Sequence, residues 1–279
     1  ITGLRVLRLK TKRSGPAERV SVRRLGGSVL LRPGTTDPAI FDQIALHPYV
    51  PIDREHPPVT IVDLGANIGL STRFLKNAYP EARVVAVEPD PTNYEMLVKN
   101  TAGLSDVQCL MAGIWPEDGR LQLDHAGLGH SGFRTHAGGD GGGNTDALTI
   151  GTLMTKAGFE RIGLLKIDIE GHDLLALRQL EESGCRPSFV SVENGEPPML
   201  ETLVRMGYAG FKFINQATVP KLRLPLRARE GRRIGHRFPF GATGPFGEET
   251  PGTWRSAEDI ECEIRAYWER PGRDAAVHG

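Results

Sequence analysis

Residues 60–90 read TIVDLGANIGLSTRFLKNAYPEARVVAVEPD, and they decide the fold. Positions 60–64 are apolar and rich in β-branched residues, positions 65–69 include two turn glycines, and positions 70–78 carry apolar residues at helical spacing. A second apolar run follows and ends in Glu88. This order of strand, glycine turn, helix, strand and acid predicts half of a parallel nucleotide-binding sheet, whose ligand lies beyond the carboxyl ends of the strands.

The glycine turn indicates the kind of nucleotide. A dinucleotide fingerprint, GxGxxG, lets backbone approach a pyrophosphate, but here Ala66 stands where the second glycine would be, between Gly65 and Gly69. Asp63 enters the turn and suits an ammonium group, while Glu88 is placed to accept hydrogen bonds from ribose hydroxyls. S-adenosylmethionine carries both groups and no phosphate. The turn therefore favours this methyl donor over a dinucleotide, and the alternative is an ordinary glycine turn in a fold of unrelated function.

Three blocks of sequence, in the order VDLGANIG, VEPDPTNYEMLVKN and LLKIDIEGHD, resemble the FkbM-type S-adenosylmethionine-dependent methyltransferases. The resemblance implies an α/β fold with a seven-stranded, Rossmann-like methyltransferase sheet, and methyl transfer to a hydroxyl of a sugar or a natural product. It also implies that Asp37 approaches the methionine end of the cofactor, although an N-cap before Pro38 is an equally good interpretation. The candidate cofactor-binding residues are Asp37, Asp63, Gly65, Ala66, Asn67, Gly69, Glu88, Pro89, Asn93, Ala112 and Asp168.

Candidate catalytic residues follow the apolar run at 164–167. Asp168, Glu170 and His172 place two carboxylates and an imidazole at the predicted carboxyl end of a strand. Methyl transfer from a sulfonium is an in-line displacement, and an alcohol acceptor must lose its proton. Glu170 or His172 could accept that proton, since an imidazole titrates near neutral pH. Lys166 is predicted to pair with an acid.

A divalent cation is the second way to activate an alcohol. Asp168, Glu193 and Asn194 would supply oxygen ligands of the kind that Mg²⁺ accepts, and the cation would lower the pKa of the acceptor and orient it. Two other functions stay open. An N-methyltransferase would need no strong base, and a methyltransferase-fold binding protein would have no turnover.

The chain divides into three predicted regions. Residues 1–58 form an N-terminal β extension with short strands and a helix, residues 59–215 form the methyltransferase core, and residues 216–279 hold a basic loop, a flap and a closing helix. The short strands are predicted at 6–9, 20–22 and 29–31, and later ones at 107–112, 120–123, 187–193 and 208–214. The glycine-rich stretch 126–147, with His130 and His136, is predicted to be a surface loop.

The composition of the chain argues against several classes of partner and metal. Lys plus Arg and Asp plus Glu number 34 each, so no net charge attracts nucleic acid or an anionic membrane. The three cysteines are widely spaced, which predicts reduced thiols and no zinc site. No apolar run has the length of a membrane span or a signal peptide. We therefore expect a cytoplasmic enzyme with a small-molecule or glycan acceptor, and an oligomer is compatible with this composition.

Overall fold

The computed structural model of the chain describes residues 2–45, 56–125, 133–137, 144–193, 195–215 and 253–269. In chain order the strands are β1 (Glu18–Val22), β2 (Gly27–Leu31), β3 (Thr60–Leu64), β4 (Arg83–Val87), β5 (Val107–Leu110), β6 (Ala112–Ile114), β7 (Gly119–His125), β8 (Phe133–Ala137), β9 (Thr145–Leu148), β10 (Leu164–Ile167) and β11 (Phe189–Val192). The α-helices are α1 (Thr2–Thr11), α2 (Asp37–Ala45), α3 (Leu70–Ala78), α4 (Pro91–Thr101), α5 (Ile150–Ala157), α6 (Asp173–Ser183), α7 (Pro197–Arg205) and α8 (Ala257–Trp268).

The central sheet has β3 in its middle. Its five strands run parallel in the order β11-β10-β3-β4-β5. Successive residues of β3 face opposite sides, so Ile61 joins the apolar core beneath α3, while Val62 and Leu64 join a second core with α5 and α6. Cover on both faces explains why the strand reads as a continuous apolar run. The prediction of an α/β fold with a mostly parallel sheet is confirmed, and five of the seven predicted strands are seen in the described residues.

The predicted strand at 208–214 is wrong. In this segment only Phe211 makes a β-bridge, an isolated antiparallel one with Arg255. Phe211 is buried with Ile260 and Ile264 of α8, and Phe213 packs against the same cluster. The apolar residues of this segment thus pack against the C-terminal helix. Their alternation in the sequence is typical of a strand, which explains the wrong prediction.

A second, four-stranded sheet adjoins the parallel one, in the order β6-β9-β7-β8. The predicted strand at 107–112 is in fact two strands, because the chain leaves the parallel sheet at Met111 and β6 pairs with β9 instead. The stretch predicted as a loop, 126–147, contains β8, which pairs with β7 and includes His136, and most of β9. That prediction is wrong for these strands, and His130 lies outside the described residues.

The N-terminal extension holds one helix more than predicted. Residues 6–9 belong to α1 and not to a strand, because Val6 and Leu9 lie three positions apart on one helical face and are both buried. The hairpin of β1 and β2 is confirmed. Arg73 of α3 anchors it, donating from Nε to the Leu25 carbonyl oxygen at 2.7 Å and from Nη2 to that of Gly26 at 3.1 Å.

The closing helix is confirmed as α8. Ser256 caps it, since its Oγ accepts a hydrogen bond from the Asp259 amide at 3.2 Å. The basic loop and flap predicted at 216–252 lie outside the described residues. Among the helices that the structure describes, none has the length and hydrophobicity needed to cross a membrane.

Candidate active site

A cavity of about 790 Å³ lies at the carboxyl ends of β3, β4, β10 and β11. Of the predicted cofactor residues, those that line it are Gly65, Ala66, Asn67, Glu88, Pro89, Asn93, Ala112 and Asp168. The predicted catalytic residues Glu170 and His172 line it as well, together with Glu193. Asp37, Asp63 and Gly69 are not among the described lining residues, and Asn194 lies outside the described part of the chain.

The glycine turn connects the ends of three strands. The amides of Gly65 and Ala66 both donate to the Val87 carbonyl oxygen, at 3.1 and 3.0 Å. Gly65 has φ 77°, and a Cβ at this position would lie 1.7 Å from the Asp168 carbonyl oxygen. Only glycine fits so close to β10 in this conformation. The turn therefore brings the acid after β4 and the acid after β10 to one cavity.

Gly69 serves helix packing. It precedes α3 with φ 84°, and a Cβ there would lie 2.8 Å from Cδ1 of Leu97 on α4. The residue lets the two helices approach, which explains why it does not line the cavity.

Asp63 is fully buried beneath the turn. Its Oδ2 accepts hydrogen bonds from Ser71 Oγ and Thr72 Oγ1, both at 2.7 Å, and so fixes the start of α3. Its Oδ1 lies 3.3 Å from Nζ of Lys166. The ammonium group that this carboxylate contacts is that of Lys166, which confirms the predicted pairing of this lysine with an acid. Direct contact between Asp63 and a ligand stays a prediction.

Glu88 is a buried acid at the end of β4, with 4% of the residue exposed. Its Oε2 accepts from the Asn67 amide at 2.8 Å and its Oε1 from the Asp90 amide at 3.1 Å. The side-chain amide of Asn93 donates to Oε1 as well, at 3.5 Å. Burial raises the pKa of Glu88 to about 7, although these hydrogen bonds oppose the shift.

Three carboxyl groups cluster beyond β10 and β11. Asp168, Glu170 and Glu193 each offer an oxygen, and these oxygens lie within 4.8 Å of one another. Nζ of Lys166 lies 3.1 Å from Asp168 Oδ2. Burial alone would raise the pKa of Asp168, but the charge of Lys166 and the hydrogen bonds with Glu193 and Lys166 together outweigh it, so the pKa is lowered. The hydrogen bond with Asp168 raises the pKa of Glu193. The two acids thus share one proton, with Asp168 as the ionised partner.

Glu170 and Gly171 turn the chain sharply after β10. Both are left-handed, with φ 45° and 87°, so the chain reverses before α6 begins. Burial, followed by the charges of Asp168 and Asp173, raises the pKa of Glu170. His172 precedes α6, and its ring centroid lies 5.1 Å from that of Trp115. Glu170 and His172 therefore reach the same cavity from one tight turn.

Asp37 is the first residue of α2 and not its N-cap, so the capping interpretation is wrong. The carbonyl oxygen of Thr36 accepts the first helical amides instead. Both carboxylate oxygens of Asp37 are bonded to Arg32, at 2.8 Å from Nη2 and 2.9 Å from Nε. Sequence reasoning missed Arg32, because nothing in the local pattern marks a loop arginine as the partner of a buried acid.

Replacing Glu88 by glutamine is expected to stabilise the ligand-free protein above pH 7. The folded-state pKa is about 7 and the usual value is 4.5, so the folded chain binds this proton more tightly than the unfolded chain. The contribution of Glu88 to stability therefore falls as the pH rises from 4.5 to 7, by at most about 3 kcal/mol. Urea unfolding of both proteins at pH 5 and pH 8 measures the difference. Glu95→Gln, an exposed control, should keep the pH dependence of the wild type, and a Glu88→Gln protein that also keeps it would contradict the prediction.

The parallel sheet, the glycine turn and the strand-end acids place this chain among the α/β folds whose ligands bind at the carboxyl edge of the sheet. Residues 63–213, more than half of the chain, match the family model described as the Methyltransferase FkbM domain. The chain belongs to this family and is a methyltransferase, which confirms the resemblance seen in the sequence.

Two named relatives are also methyltransferases. The chain is 30% identical over 183 residues to Methyltransferase sdnD of Sordaria araneosa, a match that covers 52% of this chain and 71% of that protein. It is 37% identical over 65 residues to Methyltransferase 1 of Beauveria bassiana (strain ARSEF 2860), which covers 23% of this chain and 26% of the relative. A solved structure, the plantazolicin methyltransferase BpumL in complex with SAH, aligns with a TM-score of 0.29 and 12% identity over 56% of this chain and 46% of that chain.

Proposed function

We propose that the chain is an S-adenosylmethionine-dependent O-methyltransferase that acts on a hydroxyl of a sugar or a natural product. One observation carries the proposal. Carboxylate oxygens of Asp168, Glu170 and Glu193 lie within 4.8 Å of one another, next to Nζ of Lys166 and at the edge of the cavity that Gly65 and Glu88 also line. The pKa of Asp168 is lowered and that of Glu193 is raised, which favours an ionised Asp168 beside a protonated Glu193. A pair of acids that differ in protonation is suited to accept a proton from a weakly acidic hydroxyl.

The residues of the cavity fit the proposed methyl donor. Glu88 is a buried acceptor with oxygens for two ribose hydroxyls, and the amide of Asn67 orients it. Ala112 and Gly113 line the cavity beside it without bulky side chains, and a Cβ on Gly113 would lie 2.7 Å from Cδ1 of Leu121. The donor, when bound, supplies an electrophilic methyl group on a sulfonium, and no phosphate-binding GxGxxG turn is needed.

The acids at the ends of β10 and β11 would handle the proton of the acceptor. Asp168 would accept the proton of the hydroxyl, while the hydroxyl oxygen forms the new bond to the methyl carbon, the sulfur–carbon bond breaks and the neutral thioether leaves. Lys166 holds Asp168 in place through its ammonium group. The carboxyl pair then carries a second proton, which passes to solvent. Glu170 and His172 line the same cavity and are the other candidate proton acceptors.

Magnesium assistance is the second candidate, because Asp168, Glu170 and Glu193 can present three oxygens to one cation. The protonation of Glu193 distinguishes magnesium binding from proton transfer to the acids. A cation bound there must displace the proton of Glu193 and compete with Lys166 for Asp168, so binding would release a proton. Activity that is unchanged by a chelator supports proton transfer to the acids, whereas activity lost on chelation and restored by Mg²⁺ supports the metal.

The function is tested by transfer of a labelled methyl group from S-adenosylmethionine to neutral sugars, phenols and aliphatic alcohols, each with its matched amine. We expect the hydroxyl acceptors to be methylated, and Asp168→Asn to lower the rate by about 10²–10⁴. Methylation of amines that survives Asp168→Asn would support the N-methyltransferase instead. Donor binding without turnover on any acceptor would support a non-catalytic binding protein.

Donor binding is tested by calorimetric titration with S-adenosylmethionine and with NAD. Glu88→Ala is expected to abolish binding of the first, because the variant lacks the acceptor for both ribose hydroxyls. Binding of NAD by the wild type, or donor affinity unchanged in Glu88→Ala, would overturn the assignment.

A further inference from the structure

Arg32 connects a buried acid to the cofactor cavity. Its Nη2 lies 2.8 Å from Asp37 Oδ1 and 2.7 Å from Oδ1 of Asn93, and its Nε lies 2.9 Å from Asp37 Oδ2. The backbone amide of Arg32 donates to Asp37 Oδ2 as well, at 2.9 Å. Asp37 and Asn93 are almost completely buried, and 17% of the Arg32 side chain is exposed. The guanidinium is therefore held in one orientation by two groups, the Asp37 carboxylate and the Asn93 side-chain amide.

The chemistry of arginine gives this chain of hydrogen bonds a direction. A guanidinium can only donate, so the oxygen of the Asn93 amide must face Arg32. The NH₂ of the same amide must then face Oε1 of Glu88, from which it lies 3.5 Å. The backbone amide of Asn93 is bonded to Asp90, which fixes the position of the residue on α4. Arg32 thus links Asp37 to Asn93, and the NH₂ group of Asn93 donates to Glu88, which lines the cavity.

We propose that Arg32, held by Asp37, is a positioning residue for ribose binding: it fixes the Asn93 amide so that its NH₂ donates to Glu88 and keeps that acid an ionised acceptor. Arg32 and Asp37 are not among the described residues that line the cavity, whereas Asn93 and Glu88 are. The two outer residues act through the inner two. The inference rests on the proposed use of S-adenosylmethionine.

The surroundings of Glu88 decide whether this acid is ionised. Burial favours its protonated form, and the charge of Asp90 does so too, while the hydrogen bonds from the backbone amides of Asp90 and Asn67 and from the Asn93 side chain favour the ionised form. The turn at residues 65–69 and strand β6, which also border the cavity, contain no charged residue. Arg32 and Asp37 act on Glu88 through the orientation of the Asn93 amide. An amide in the reversed orientation would place its oxygen against the carboxylate and oppose ionisation.

The test compares two ligands, S-adenosylhomocysteine and its 2′,3′-dideoxy analogue, by calorimetry. Arg32→Met is expected to raise the Kd of S-adenosylhomocysteine about tenfold at pH 7.5 and to leave that of the analogue within about twofold, because only the first ligand uses Glu88. Protonated Glu88 accepts hydrogen bonds from the ribose less well, so the wild type should lose affinity for S-adenosylhomocysteine below neutral pH. In Arg32→Met the Asn93 donor is no longer fixed, which favours protonated Glu88, so the variant should lose this affinity at a pH about one unit higher.

Matched variants separate positioning from folding. Arg23→Met removes an exposed arginine of the same N-terminal extension and should bind both ligands like the wild type. Arg32→Lys keeps the charge without the forked geometry and should recover part of the affinity. If Arg32→Met does not fold in thermal unfolding, Asn93→Asp replaces it, since this change retains the contact with Arg32 and points an oxygen at Glu88.

The outcomes are distinct. Weakening of both ligands to the same degree, or of neither, overturns the positioning role. A wild-type protein that binds neither ligand overturns the proposed methyl donor itself, whatever the variants do. Selective loss of the hydroxyl-bearing ligand supports both.

Discussion

Gly65→Ala is expected to lower the free energy of unfolding by more than about 4 kcal/mol and to destroy the cofactor cavity. The added methyl group would lie 1.7 Å from the carbonyl oxygen and 2.8 Å from the carbonyl carbon of Asp168. Both are backbone atoms, so no side chain can move aside. The conformation, with φ 77°, adds strain of its own for any residue with a Cβ. Urea unfolding followed by circular dichroism measures the loss.

Gly103→Ala is the matched control for this prediction. Gly103 has φ 84°, close to that of Gly65, but a Cβ there would meet no atom within 4 Å. Its substitution therefore costs only the left-handed strain, about 1–2 kcal/mol. A similar loss in both variants would show that the contact with Asp168 has no energetic importance, and with it that β3 and β10 are not closely joined at this turn.

Lys166→Met is expected to lower the free energy of unfolding by about 3–5 kcal/mol and to remove activity. Burial alone would lower the pKa of Lys166, but the charges of Asp168 and Asp63 raise it above its usual range, so the ammonium is ionised in the folded protein. Asp63 is fully buried, and without Lys166 its charge has no cation within 4 Å in the described structure. The variant is measured by urea unfolding at pH 7 and by methyl transfer.

Two further proteins test the cause of that loss. Lys99→Met removes an exposed lysine that pairs with Glu95 one helical turn away, and it should cost less than about 0.5 kcal/mol. The double variant Lys166→Met/Asp63→Asn removes the buried charge together with its partner and should recover a large part of the lost stability. A Lys166→Met protein as stable as the wild type would contradict the role of this lysine as the buried counter-ion.

Local sequence patterns were sufficient to predict the helices and strands whose apolar periodicity is clear. β3, α3 and β10 begin and end at the predicted residues, because their apolar periodicity and the turn glycines are local signals. The cap of α4 is a local signal of the same kind, since Asp90 precedes Pro91 and its Oδ1 accepts a hydrogen bond from the backbone amide of Asn93 at 2.8 Å. Most of the predicted cofactor residues at the ends of these strands line one cavity, as the topology of a parallel sheet leads one to expect, and their contact with a cofactor stays a prediction.

Other features depend on contacts that no local pattern contains. Arg32 meets Asn93 across 61 positions of the chain, and Arg73 reaches Leu25 across 48. In α1 the apolar residues fit both a strand and a helix, and only packing against the hairpin decides between them. The division of a single apolar run at Met111 between two sheets is equally a choice made by distant partners, β4 and β9.

Glu170 has a left-handed backbone conformation, with φ 45°, which determines how a substitution at this position would affect stability. A glycine or asparagine would occupy such a left-handed site at lower cost than a glutamate, by about 1 kcal/mol or more. Glu170→Gly should therefore yield a protein that tolerates more heat and yet lacks one of the three acids that line the cavity. If stability alone governed this residue, a carboxylate would be a poor choice. The left-handed backbone at Glu170 lowers the stability of the fold, and we expect its carboxylate to raise the rate of methyl transfer instead.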